Sequence, residues 1–286
     1  MMLDMELEKF YEIFPWPEDI HSEEGAKRYI KALVQFKKLI EHPWISSLLS
    51  LKDHLRVIDI CGGSGIGGIA FTKILKESGK DVELTIVDLR ETALKKAEEF
   101  SKFELGFNAL TLKMDVLKLY ELNRTYDVCL MYGLTAPHFN PFQMCILLAS
   151  VSKILTSDGV FIMNESDRIY TVFFIRGYQH VLPEISKEKI VISLHKSYDR
   201  LTGTFKRLII NMLSKDVTEM NFYFWGLAEL MAITWLLFSD VDFVSDEERP
   251  YEGFILAHKP RKNINVDDLI NLPMVFKECN EINLII

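Results

Sequence analysis

Residues 57–68, Val-Ile-Asp-Ile-Cys-Gly-Gly-Ser-Gly-Ile-Gly-Gly, are the densest chemical signal in the chain. An apolar, β-branched run enters a glycine-rich turn, which opens onto a helical pattern carrying Ile69, Phe71, Ile74 and Leu75. Glycines at such a turn let the backbone approach a ligand closely and present it to a helix N-terminus. Two ligand classes compete for this place. Gly63, Gly65 and Gly68 match the G-x-G-x-x-G dinucleotide fingerprint, in which the helix N-terminus holds a pyrophosphate. Asp59, four residues before Gly63, would repel a diphosphate but would attract an ammonium or sulfonium cation. The residue chemistry favours the cationic ligand.

Two more acids follow at regular intervals: Asp88 comes 29 residues after Asp59, and Asp115 another 27 after that. Each closes a short β-type run, at 82–87 and 110–114. Further runs at 126–131 and 160–163 lead into Tyr132 and Glu165. Strands alternating with helical segments imply an α/β, doubly wound, parallel sheet covered on both faces. Ligands bind such sheets beyond the carboxyl ends of the strands, where the strand order switches. That rule gathers residues 61–68, 88–90, 115–116, 132–138 and 164–168.

The elements around this core divide the chain. Residues 1–53 read as an N-terminal helical cap, broken at Pro15-Trp16-Pro17, with a longer helix over 23–40. Residues 54–260 read as the main domain, with 168–235 as an insertion and 261–286 as a tail. Inside the insertion the pattern predicts a helix near 171–181, a hairpin from 190–193 and 204–211, and an apolar helix over 222–238. Strands near 241–244 and 254–257 follow.

Residues 55–168 resemble the class I S-adenosylmethionine-dependent methyltransferases. The stretch from Asp59 to Gly65 is similar to that family's first motif, acid-x-Gly-x-Gly-x-Gly. Cys61 stands where the family most often has its first glycine. A cysteine there demands a φ that an ordinary residue can hold, with Gly62 supplying the missing freedom. The resemblance implies a mostly parallel seven-stranded Rossmann-like sheet, with an N-terminal helical extension and an inserted lid. It also implies S-adenosylmethionine as cofactor, with S-adenosylhomocysteine as product. Asp88 falls where the family's acid meets both ribose hydroxyls, and Leu89 where an apolar side chain meets adenine. Asp115 and Val116 fall at the adenine amino group and ring, and Tyr132 on the loop lining the methyl donor. Asp59, Cys61, Gly63 and Gly65 complete the implied cofactor set.

Methyl transfer draws on orientation and water exclusion, and needs a general base only when the acceptor is protonated or weakly nucleophilic. His138, Tyr132 and Glu165 are the candidates, with Asp167 nearby. His138 stands against a loop or capping histidine, and Glu165 and Asp167 against helix caps. Asn140-Pro141-Phe142 resembles the Asn/Asp-Pro-Pro-aromatic motif of amino methyltransferases. It sits eight residues late and lacks the second proline, so a nucleobase substrate is set aside. By the resemblance, residues 5–30 and 168–235 choose the acceptor. Their aromatic character points to a small, partly hydrophobic molecule, or else to a homodimer face.

Composition bounds the rest. At 286 residues and 49% hydrophobic, the chain can build a large core without disulfides or metals. A net charge of −8 argues against broad nucleic-acid binding. The seven histidines show no metal-ligand spacing, so no metal is expected. Residues 222–238 are apolar but number only 17 and carry Glu229, too short for a membrane span. Cys61, Cys129, Cys145 and Cys279 form no C-x-x-C pair, which points to a reducing, cytoplasmic location. Beside the methyltransferase stand an NAD(P)-binding oxidoreductase and a catalytically inactive methyltransferase-like partner subunit.

Overall fold

A central sheet forms from five parallel strands, four of which bury their apolar residues on both faces. They are β1 (His54–Ile60), β2 (Asp81–Asp88), β3 (Leu110–Lys113), β4 (Tyr126–Met131) and β5 (Leu155–Ser166). The structure is a computed structural model and describes residues 2–187 and 189–277. After β5 the chain builds a separate antiparallel sheet from β6 (Val181–Ile185), β7 (Ile190–Asp199), β8 (Thr204–Asn211) and β9 (Val217–Phe222). It then returns to the main sheet with β10 (Phe238–Ser245) and β11 (Glu252–Pro260). These complete the order β10-β11-β5-β4-β1-β2-β3, with antiparallel pairing only at β11 and β10. The strand order reverses at β1, so the crevice beyond β1 and β4 is the place to look for chemistry.

Alternate strand residues feed two cores. Val57, Leu84, Val128 and Ile162 pack against α2 (Glu23–Leu39), α3 (Pro43–Leu51), α4 (Ile66–Glu77) and α5 (Glu91–Leu105). Ile58, Val87, Cys129 and Phe161 pack on the opposite face, against α6 (Pro141–Ile154) and α7 (Leu227–Leu237). Local chemistry fixes the helix starts. Ser22 caps α2 by accepting from the Gly25 N–H, and Glu23 and Glu24 follow in the first turn. The N-terminal helix α1 (Met2–Ile13) docks elsewhere: Phe10 and Ile13 pack on Val191, Ile209 and Met220 of the inserted sheet.

Two sequence expectations need correction. The helix expected near 171–181 is a short π-type turn, Ile169–Ile175, and β6 follows it. Gly177, at φ +69°, takes a left-handed conformation that leads the chain out of the turn. The expected hairpin forms from β7 and β8, and β6 and β9 extend it to four strands. The apolar stretch 222–238 is not one helix: α7 begins only at Leu227, with Gly226 at its N-cap. Trp225 is the reason, because its Nε1–H donates to the carbonyls of Ala136 and Phe139 and pins the preceding loop. Among the described residues, no helix is long and apolar enough to cross a membrane. The described part of the tail, to residue 277, forms two short helices, α8 (Val266–Ile270) and α9 (Met274–Lys277). Cys61, Cys129 and Cys145 are free, while Cys279 lies outside the described residues.

Candidate active site

The glycine turn is held open by backbone geometry. Cys61 has φ +54°, Gly63 +55° and Gly65 +82°. This corrects the expectation for Cys61: it adopts the left-handed conformation itself, at a cost of about 1–2 kcal/mol, and Gly62 does not take over that role. Gly62 answers a different constraint, since a Cβ there would lie 2.8 Å from both Asp59 Oδ2 and Ile86. Burial, and then the neighbouring Asp88 and Asp59, push the Cys61 thiol well above its ordinary pKa.

Asp59 is fully buried at the end of β1. Its Oδ2 accepts the Gly68 N–H at 2.7 Å, whereas Oδ1 has no partner. Burial pushes its pKa up to about 7, against the lowering effect of the Gly68 N–H and, more weakly, of Arg28. Asp88 accepts the Gly63 N–H (2.8 Å) on Oδ2, and the Arg90 backbone N–H (2.9 Å) and Nε–H (3.2 Å) on Oδ1. Arg90 continues to Glu18 at 2.7 Å and lies 3.8 Å over the Tyr11 ring, tying residues 11–18 across the turn. Leu89 is half-buried beside it. Asp115 caps the 3-10 turn Val116–Glu121 by accepting the Leu117 N–H, and Val116 is buried.

Tyr132 is buried. Its hydroxyl donates to Gln35 on α2, and its ring lies among Phe36, Phe254 and the Arg28 guanidinium. Burial, chiefly, pushes its pKa up to about 12. His138 is brought to Tyr11, with Nε2 3.2 Å from Oη, and its Nδ1 is buried without a partner. Burial, then Arg168 and Arg90, lower its pKa to about 4, so the ring is neutral at pH 7. Glu165 is fully buried. It accepts the N–H groups of Ala136 and Ser166, pairs with Arg168 at 3.3 Å, and has its pKa raised by burial. Glu165 therefore shapes the loop that carries His138, and Asp167 caps the turn after β5 through the Tyr170 N–H. Asn140 is a helix cap as well, forming a capping box with Gln143 at the start of α6.

Two arginines carried no readable signal in the sequence. Arg28, on α2, donates to the Pro17 carbonyl at 3.2 Å and lies over Trp16 at 4.8 Å. Burial lowers its pKa against the nearby Tyr132, Tyr11, Glu18 and Asp59, and no described carboxylate pairs with it. Arg207, on β8, lies in the wall of a cavity of about 430 Å³. That cavity is lined by α1, residues 14–17, the 133–138 loop, the turn after β5 and the inserted sheet, and His138 is in its wall. Among the described residues, no group of three or more His, Cys, Asp or Glu could hold a metal.

Residues 30–209, more than half of the chain, match the sequence model of the ubiE/COQ5 methyltransferase family. The chain belongs to that family. The methyltransferase is similar in fold to the PH0226 protein of Pyrococcus horikoshii OT3, at 21% identity and a TM-score of 0.58, over 88% of this chain and 99% of that one. It is also similar in fold to an S-adenosylmethionine-dependent methyltransferase of Clostridium acetobutylicum, at 14% identity and a TM-score of 0.56, over 78% and 89%. A third similar structure is the sugar N-methyltransferase KedS8 of a Streptoalloteichus species, at 9% identity and a TM-score of 0.54, over 80% and 88%. No curated protein sequence matches. The methyl donor of the enzyme is S-adenosylmethionine. Methyl transfer is favoured over nicotinamide chemistry and over an inactive partner subunit.

Proposed function

We propose that the enzyme methylates a small, partly apolar molecule held in the 430 Å³ cavity, and that the donor lies across the glycine turn beside it. One observation carries the placement of the donor: buried Asp59 and half-buried Arg28 are opposite charges at this turn, each lacking a partner that a zwitterion would supply. Asp59 Oδ1 is an unfilled acceptor fitted to an ammonium group, and Arg28 is a cation fitted to a carboxylate. The residues present thus fit the amino-acid end of S-adenosylmethionine. Asp88 is assigned to the ribose hydroxyls, which replace its longest contact, to Arg90 Nε. Leu89 and Val116 are assigned to the adenine, with Asp115 at its edge. Cys61, Gly63 and Gly65 bring the backbone close, and Tyr132 forms the wall under Arg28.

When bound, the donor supplies an electrophilic methyl group on a cationic sulfur. The chain's part is to hold, dry and orient. Residues 10–17 and the inserted sheet, which we take as a lid, exclude water from the cavity. His138 is the proton acceptor for an O–H or N–H acceptor molecule. Neutral at pH 7, it shares a hydrogen bond between Nε2 and Tyr11 Oη, and in the tautomer protonated at Nε2 the unpartnered Nδ1 carries the lone pair that takes the proton. Its low basicity suits an acceptor whose proton becomes acidic as methylation proceeds. Glu165 is a positioning residue that fixes this loop, while Tyr132, bonded to Gln35, stays protonated. The free cysteines support a reducing, cytoplasmic setting.

Calorimetric titration with S-adenosylhomocysteine, with NAD and NADP in parallel, tests this reading. We expect micromolar binding of S-adenosylhomocysteine alone, unchanged in His138→Ala. Binding of a nicotinamide dinucleotide instead would overturn it.

A further inference from the structure

Arg207 is 5% exposed and, among the described residues, forms no ion pair. Its Nε–H donates to Ser193 Oγ (2.6 Å), one Nη2–H to the Ser193 carbonyl (2.8 Å), and Nη1 to Tyr178 Oη (3.0 Å) and the Gln179 carbonyl (3.1 Å). All four acceptors are neutral, and one of the five N–H groups is left over. Among the described residues no carboxylate pairs with it within 4 Å. A guanidinium this deeply buried costs several kcal/mol unless an anion compensates it. Within the fold, neutral hydrogen bonds offset only part of that cost.

The cavity that Arg207 lines supplies the missing context. Arg168 and Arg176 also line it, and Arg168 is neutralised by Glu165. Glu184 is the one carboxylate in the wall, and it acts on both Arg176 and Arg207 from a distance. Three arginines against two glutamates leave an excess of one positive charge. The remaining wall is largely aromatic, including Phe10, Trp16, Phe222 and Phe224. A volume of about 430 Å³ lies within the usual range for small-molecule sites.

From these features we infer that the acceptor is a small anion with a flat apolar body, its anionic group paired with Arg207 and its body between the aromatic walls. This rests on the cavity's being the acceptor site, as proposed above. The paired ends give the molecule one orientation, with the anion at β8 and the opposite end towards His138. Arg207 is itself little exposed, so screening by solvent is weak at its end of the cavity and the pair is strengthened.

The test compares matched probes in the unaltered protein. 4-Hydroxybenzoate, 4-hydroxyphenylacetate and naphthalene-2-carboxylate are each titrated beside their neutral methyl esters, with tryptophan fluorescence as the readout. The titrations are run with and without S-adenosylhomocysteine. At least one acid is expected to bind ten-fold or more tightly than its ester. Arg207→Gln should abolish that preference and Arg207→Lys should keep part of it, with the circular dichroism of both variants unchanged. Equal binding of acid and ester throughout, or binding of neither, overturns the inference. Failure of S-adenosylhomocysteine to bind counts against the donor assignment alone, because the acid–ester comparison is also made in donor-free protein.

Discussion

Arg28 and Asp59 show what a buried charge can signify. Each sits where an ion is expensive, and each feels the other without forming a pair. Arg28 receives one carbonyl and two aromatic faces, which leaves most of its donors for a ligand. At this scale, Arg28→Met should weaken S-adenosylhomocysteine binding by about 1–3 kcal/mol, the cost of losing hydrogen bonds to a charged group. The melting temperature of the ligand-free protein should hold or rise, since an uncompensated buried ion is removed. A lowered melting temperature with unchanged affinity would make Arg28 a structural residue instead.

At the scale of the element, the start of α4 is set by one carboxylate and one ring. A Cβ at Gly68 would lie 2.8 Å from the Asp59 side chain, and one at Gly67 2.5 Å from Tyr132. Asp59 is locked at the end of a central strand and cannot yield. The third glycine of the apparent dinucleotide fingerprint therefore makes room for Asp59, and its N–H is already spent on that carboxylate. Gly68→Ala should cost about 1–3 kcal/mol of stability by overpacking. In an Asp59→Gly background, which removes the Asp59 Cβ as well as the carboxylate, the cost should shrink, and denaturant melts of the four-protein cycle measure the difference. Additivity would mean that the close approach in the structure has no energetic weight.

For the whole molecule, two buried groups pull stability in opposite directions with pH. The folded-state pKa of Asp59 is raised from 3.8 to about 7, so its contribution is full below pH 4 and is lost as pH rises towards 7. That of His138 is lowered from 6.5 to about 4, so its contribution is full above pH 6.5 and is lost as pH falls towards 4. Each shift is worth a few kcal/mol, at about 1.4 kcal/mol per pKa unit. Relative to the parent protein, the melting temperature of Asp59→Asn should improve between pH 4 and 7. That of His138→Gln should deteriorate over the same interval. Parallel curves for either variant would mean that the group titrates normally.

Sequence alone determined the sheet, because a parallel α/β core is written locally. Buried strands are short apolar runs, crossover helices repeat at about 30 residues, and the acids at 59, 88 and 115 close the strands wherever the chain folds. The same locality made the glycine turn legible, and with it the cationic ligand. Tertiary structure decided everything that depends on elements distant in sequence. The apolar run 222–238 reads as one helix by hydrophobicity, and it is divided where Trp225 finds carbonyls on the 136–139 loop. His138 acquires its low pKa from burial against α1, 127 residues away. Arg28 and Arg207 look like ordinary surface arginines on amphipathic elements. They become ligand-seeking charges only when folding buries Arg207, and half-buries Arg28, without a paired carboxylate, because desolvation is a property of the assembled interior and not of the residue.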